Sequence, residues 1–250
     1  MLILLPPSET KRPGGSRRAM DAAALPFPTL TAAREATMDA LVALAADPES
    51  ARRVLKLGAT QAAEASINAH LRSGPTLPAA DRYTGVLYDA LDAGSLDAPA
   101  RRWLGAHALI HSAPWGPIGA LDRIPAYRLG AGASLPGLPP LRRVWADAVT
   151  SALAGTSSFL LDLRSEAYVA LGPLPPAPAS AYVRVVTEGP DGGARALNHF
   201  NKHAKGALVR ALATERPRVS TRAGLLRWAD GAGWTLRDPG EPGILHLVVS

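Results

Sequence analysis

The stretch Met1-Leu-Ile-Leu-Leu-Pro-Pro-Ser-Glu-Thr-Lys-Arg-Pro-Gly-Gly15 decides how the rest of the chain is read. Met1 to Leu5 are apolar and uncharged, the pattern of a strand buried on both faces. Pro6 and Pro7 end it, because neither ring nitrogen can donate to a sheet ladder. Two hydroxyls, a carboxylate and an ammonium then follow in Ser8, Glu9, Thr10 and Lys11. A polar cluster at the carboxyl end of a buried strand is where open α/β sheets hold ligands; a solvated turn would read much the same.

A second stretch repeats the pattern. Phe159-Leu-Leu-Asp-Leu163 is another candidate buried strand, followed by Arg164, Ser165, Glu166 and Tyr168. Between the two, Leu30, Met38, Leu41 and Leu44 give helical spacing after a candidate cap at Thr31, and Val144, Trp145, Val149 and Leu153 mark a helix over 141–153. Ala108 to Ser112 reads as a strand, and 113–130 as a packed loop rich in Pro and Gly. Lys11 to Pro28 reads as an exposed, mobile loop. Tyr182 to Thr187 alternates like a strand, with a hairpin signal at Asp191-Gly-Gly193 and a partner at Arg195 to Leu197. A helix from Asn198, a short one near Leu225 to Trp228 and strands near Trp234 and over 244–249 complete the chain. Over 52–72 a turn at Gly58 between two helices is similar to a helix-hairpin-helix, although Thr60 stands where that motif keeps a second glycine.

Composition narrows the function classes. A chain of 250 residues with 47% hydrophobic content can bury a large core. No apolar run approaches the roughly 18 residues of a membrane span, and no signal-peptide core is visible, so a cytoplasmic protein without membrane contact is expected. There is no cysteine, which excludes disulfides and thiol-based peroxide chemistry. The formal net charge of +6 suits a polyanion such as DNA or a phosphorylated small molecule.

The helix from Asn198 carries the clearest cationic pattern. On an ideal wheel Asn198, Asn201, Lys202 and Lys205 share an arc about 100° wide, in turns where the helix dipole already favours anions. The candidate anion or DNA site therefore gathers Ser8, Lys11, Arg164, Asn198, Asn201, Lys202 and Lys205, with Tyr127 and Arg128 as outer members. Glu9, Glu166 and Lys202 are the candidate catalytic groups. His199 and His203 stand four apart, but no carboxylate completes a zinc motif; His107 and His111 are equally incomplete, so neither metal nor other cofactor is expected. Gly130-Ala-Gly132 lacks the setting of a dinucleotide fingerprint, and no serine has the nucleophile-elbow pattern.

Five stretches, taken in order, resemble the YaaA peroxide-stress family: the N-terminal fifteen residues, Tyr83-Thr-Gly-Val-Leu-Tyr-Asp-Ala-Leu91, the segment 112–132, Leu161-Asp-Leu-Arg-Ser-Glu-Ala-Tyr168, and Asn198-His-Phe-Asn-Lys-His-Ala-Lys-Gly206. The resemblance implies a cytoplasmic oxidative-stress protein with a basic cleft and DNA binding. The expected fold is one α/β (α+β) domain over 1–250, a mixed sheet surrounded by helices. The alternative function is an enzyme acting on a nucleotide, nucleobase or phosphorylated metabolite, with Glu9 or Glu166 as acid–base and Lys202 and Lys205 as anion clamps. An iron-handling role is disfavoured by the missing cysteines and the incomplete histidine sets.

Overall fold

The structure is a computed structural model describing residues 1–176, 179–188, 194–196 and 200–249. In chain order it places β1 at Leu2–Leu5, α1 at Thr31–Ala45, α2 at Pro48–Val54, β2 at Thr76–Pro78, α3 at Ala79–Arg82, α4 at Val86–Leu91 and α5 at Ala98–His107. Next come β3 at Ala108–Ser112, β4 at Gly116–Gly119, β5 at Arg123–Pro125, α6 at Leu141–Ala154, β6 at Leu160–Asp162 and α7 at Glu166–Val169. The C-terminal part adds β7 at Ser180–Glu188, β8 at Ala194–Ala196, α8 at Phe200–Glu215, α9 at Arg222–Gly231, β9 at Leu236–Arg237 and β10 at Ile244–Val248.

The main sheet runs β4-β3-β1-β6-β7-β10-β9, with β8 paired to β7. Its five central strands are parallel, and β4, β8 and β9 join antiparallel at the margins. The expected mixed α/β sheet is present. Apolar runs make β1 and most of β6, because parallel strands covered on both faces are largely apolar; Ile3, Leu4, Leu5, Leu160 and Leu161 are fully buried. β2 and β5 form a separate two-stranded ribbon.

The long Pro- and Gly-rich segments raise an accounting problem, since prolines leave carbonyls without matching donors. Two fully buried arginines answer it. Arg34 donates to the carbonyls of Pro26 (2.7 Å), Trp115 (2.9 Å) and Pro117 (3.1 Å). Arg82 reaches those of Arg12, Gly14 (2.9 Å), Pro75 (2.8 Å) and Ile124 (3.2 Å). The segment after Lys11 is thus pinned: Lys11 bridges to Tyr83 and Ser16 to Thr76. The loop expected there is exposed over 12–19, and these contacts tether its first residues.

Residues 52–72 also differ from their pattern. α2 ends at Val54, and Ala59–His70 is wound as a 3-10 helix. The Gly58 N–H donates to the Gln61 side chain at 3.2 Å, so the amide that a DNA-binding hairpin would offer to phosphate is already engaged. The hairpin signal at 191–193 and the helix start at Asn198 lie outside the described residues.

Candidate functional site

Numbering the parallel strands by their chain order gives 2-1-3-4-5 across the sheet, with β1 and β6 adjacent. From β1 the chain goes on to β3 on one side, and from β6 to β7 on the other. Strands that diverge in this way leave a crevice at their carboxyl ends, the usual ligand position in doubly wound sheets. Both polar clusters lie at these ends. Leu163 N–H donates to the Leu4 carbonyl at 2.8 Å, so the two strands stay paired until the loops begin.

The β1 loop is half-open. Ser8 Oγ lies 3.2 Å from Thr10 Oγ1, which accepts from Thr84 Oγ1 at 3.0 Å. Gly85 closes this hydroxyl group with φ +94°, and a Cβ there would stand 3.5 Å from both the Ser8 and the Thr10 oxygens. Lys11 turns inward. Its Nζ donates to the Ser8 carbonyl (3.0 Å) and the Glu9 carbonyl (3.2 Å), 4.0 Å from the centre of the Tyr127 ring and 5.4 Å from that of Tyr83. The two tyrosine hydroxyls share a hydrogen bond of 2.8 Å. Burial, then the neighbouring Arg128 charge, lower the Lys11 amine from its ordinary 10.5 to about 7; Glu9 and Glu64 oppose the shift and Arg82 adds to it. Arg128, 15% exposed, sits 3.6 Å from Glu9 and 3.4 Å from Glu64.

The β6 loop is closed. Register places Leu109, Leu4, Asp162, Tyr182 and Ile244 side by side across five strands, hence on one face. Arg164, two residues beyond Asp162, falls on the same face and pairs with it through Nε (2.9 Å) and NH2 (2.6 Å). Its NH1 donates to His111 Nδ1 at 2.8 Å. An accepting Nδ1 places the imidazole proton on Nε2, and burial, then Arg164, hold the His111 pKa well below 6.5. Lys205, from α8, donates to the Arg164 carbonyl at 3.4 Å and lies 5.2 Å from the Tyr182 ring centre. Burial lowers its amine to about 8 against the pull of Asp162 and Glu166.

The expected residues therefore divide. Glu9, Lys11, Tyr127 and Arg128 meet at the β1 end; Arg164 and Lys205 meet at the β6 end. Tyr168 joins the groups: its carbonyl accepts from Arg164 at 3.5 Å, and burial, then the charge of Glu9, raise its hydroxyl pKa. Expected as an anion contact, Arg164 is instead 0% exposed with its guanidinium consumed by Asp162 and His111. Lys205 is only 4% exposed, whereas Lys202 faces solvent. Asn201 is half-buried with an Oδ1 that finds no partner, and Asn198 lies outside the described residues. Glu166 is exposed beside a cavity of about 390 Å3 that it lines with Val169, Tyr182 and Ile244.

Sequence reasoning missed Asp162, His111, Tyr83, Thr84 and Tyr182. A carboxylate inside an otherwise apolar strand, two residues before an arginine, was the available signal for the buried pair. All five tyrosines of the chain lie in or behind the two clusters, Tyr88 through a 5.1 Å ring contact with Tyr83. Among the described residues no group of three His, Asp or Glu is placed to hold a metal, and no helix is long and apolar enough to cross a membrane.

The fold is that of an α/β protein whose parallel strands run in the order 2-1-3-4-5, with lysine and tyrosine side chains gathered near the carboxyl ends of β1 and β6. The chain belongs to the YaaA family: the family model described as peroxide stress protein YaaA matches residues 1–238. It is 45% identical to a UPF0246 protein of Corynebacterium efficiens over the full length of both chains. It is also 40% identical to one of Corynebacterium glutamicum over the same span. A UPF0246 protein of Streptomyces coelicolor is 43% identical over 85% of this chain and 82% of its own.

Proposed function

We propose that the chain is a cytoplasmic stress-linked enzyme that binds a small anionic metabolite, of nucleotide or other phosphorylated type, in the crevice between β1 and β6. Glu9 or Glu166 serves as general acid or base, and Lys11 and Arg128 stabilise negative charge on the substrate. The burial of the cations carries this reading. Duplex DNA is held by many exposed lysines and arginines that neutralise successive phosphates, but here Arg164 and Lys205 are sealed and Arg128 already serves two carboxylates. Few convergent polar groups against aromatic walls suit a small ligand. The family's peroxide-stress description supports a role in oxidative stress; with no cysteine, that role runs through a metabolite rather than a protein thiol.

DNA binding remains the second reading, favoured by exposed Lys202 and the net charge of +6. Glu9→Gln separates the two, because it removes a charge while keeping shape. An enzyme using Glu9 as acid–base loses on the order of 10²–10⁴ in rate with ligand binding retained. A DNA surface keeps or improves its affinity, by about 1 kcal/mol or less, when an exposed carboxylate is neutralised. The measurements are turnover of a panel of phosphorylated metabolites and duplex affinity, wild type against variant. Duplex affinity unchanged and turnover never detected, with no metabolite bound, would sink the enzyme reading.

A further inference from the structure

The chain holds 23 arginines but four lysines, at positions 11, 56, 202 and 205. Three of the four lie in the two segments that build or border the crevice. The charge networks elsewhere use arginine alone: every ion pair among the described residues is made by an arginine. Arginine is the better anion fork and cannot be deprotonated, whereas lysine yields a free amine once desolvated. Lysine in an arginine-rich chain is therefore informative where it is also buried and unpaired. Lys11 comes near to both, its amine donating only to the backbone carbonyls of Ser8 and Glu9. It is half-buried on the Tyr127 and Tyr83 rings, has no carboxylate within ion-pair distance, and lies beside the guanidinium of Arg128.

Deepening the small-metabolite reading, on which it rests, we propose that Lys11 is a nucleophilic amine that forms an imine with a small aldehyde or ketone carrying a phosphate or carboxylate. The Lys11 lone pair attacks the carbonyl carbon, and a C–N bond forms as the carbonyl oxygen takes up a proton. The carbinolamine then loses that oxygen as water, leaving C=N; one water leaves, and no electrons are exchanged with any other reactant. Desolvation and a neighbouring cation are the two devices that activate lysine for this chemistry, and both act here. The charged and titratable groups facing Lys11 are Arg128, Arg82, Glu9, Glu64, Tyr83 and Tyr127. The Ser8 hydroxyl stands on the same rim as a donor for the anionic group, while those of Thr10 and Thr84 already donate to the Thr84 carbonyl and to Thr10 Oγ1. Lys205 is the lesser candidate, since it is sealed from solvent.

The test is reductive trapping of the wild-type protein with glyoxylate and cyanoborohydride from pH 6 to 10, with adducts mapped by mass spectrometry. Exposed Lys56 and Lys202 are internal controls. Lys11 is expected to carry the dominant adduct at pH 7, at least about tenfold faster than Lys56, because a surface amine near 10.4 is almost wholly protonated there. Its rate should level off above pH 7 while those of Lys56 and Lys202 keep rising. Lys11→Arg should lose the adduct while still binding phosphorylated metabolites. Labelling of Lys11 no faster than Lys56 at any pH overturns the proposal, as does a dominant adduct on Lys205. Failure of trapping with metabolite binding intact removes the amine chemistry alone; failure of both removes the small-metabolite reading as well.

Discussion

The loops that follow β1 and β6 are built from similar residues and do opposite work. At the β6 end Asp162 and Arg164 pair out of water, Arg164 also donates to His111, and all three are fully buried, with His111 Nε2 left without a partner. At the β1 end Glu9 is 84% exposed, the hydroxyls of Ser8 and Thr10 face solvent, and Lys11 donates only to backbone carbonyls. One loop spends its charges on holding the sheet edge together. The other leaves them available, and the difference identifies where chemistry can occur.

The largest effect should come from cutting the closed side. Arg164→Ala leaves Asp162 as a buried carboxylate without its counter-charge, and removing one partner of a buried pair costs about 3–5 kcal/mol. Urea denaturation should show that loss. A cost below about 1 kcal/mol, the scale of an exposed pair, would erase the contrast between the loops.

The open side should answer to pH instead. Lys11 has a folded pKa of about 7 against an ordinary 10.5, so between those values the unfolded chain binds a proton that the folded chain does not. Stability therefore rises with pH across that window, by up to about 1.4 kcal/mol per unit for one proton. Below pH 7 the amine is charged in both states and its penalty is constant. Lys205, lowered to about 8, adds a slope of the same sign from pH 8 upward. Above pH 10 the buried tyrosines, whose pKa values are raised, turn the trend down. In Lys11→Met the rise between pH 7 and 8 should shrink to the share of the Met1 amino group, which burial also lowers, leaving the Lys205 share above it. Denaturant midpoints measured from pH 6 to 10 on both proteins check this; parallel curves would place Lys11 among ordinary surface lysines.

The same contrast explains what could be read from residues in advance. Apolar runs ended by polar clusters announced β1 and β6, because strands buried on both faces have no alternative composition. Their adjacency was not readable, since strand order is a property of the whole sheet. Arg164 was taken for an exposed cation because arginine usually is one; its burial depends on Asp162 sharing its face at a period of two. On α8 the wheel set Lys202 and Lys205 on one arc, yet only Lys205 is buried. Three residues turn a helix by about 300°, and the resulting 60° offset is enough to carry one ammonium to Tyr182 and leave the other in water. The Tyr83–Tyr88 contact lies within one short stretch, but Tyr83–Tyr127 and His111–Tyr168 join distant segments, and no local pattern marks those.

Lys202 supplies the smallest and most discriminating test. It is exposed, so Lys202→Ala should change stability by no more than about 0.5 kcal/mol. If the open side of the crevice extends into a duplex-binding surface, this lysine is among the cations positioned to neutralise a phosphate. Its removal should then weaken binding to all sequences alike and lower the salt slope by about one. If the crevice serves a small metabolite, the substitution should leave metabolite affinity within about twofold, because a solvated lysine contributes little to binding a ligand seated among buried groups. Duplex titrations at 50 and 200 mM salt, beside metabolite titrations on the same two proteins, separate these outcomes. A unit change in salt slope would carry the working surface outward from Lys11 along α8. A metabolite affinity lowered tenfold by Lys202→Ala would instead bring α8 into the pocket, and the division between a closed β6 end and an open β1 end would have to be redrawn around it.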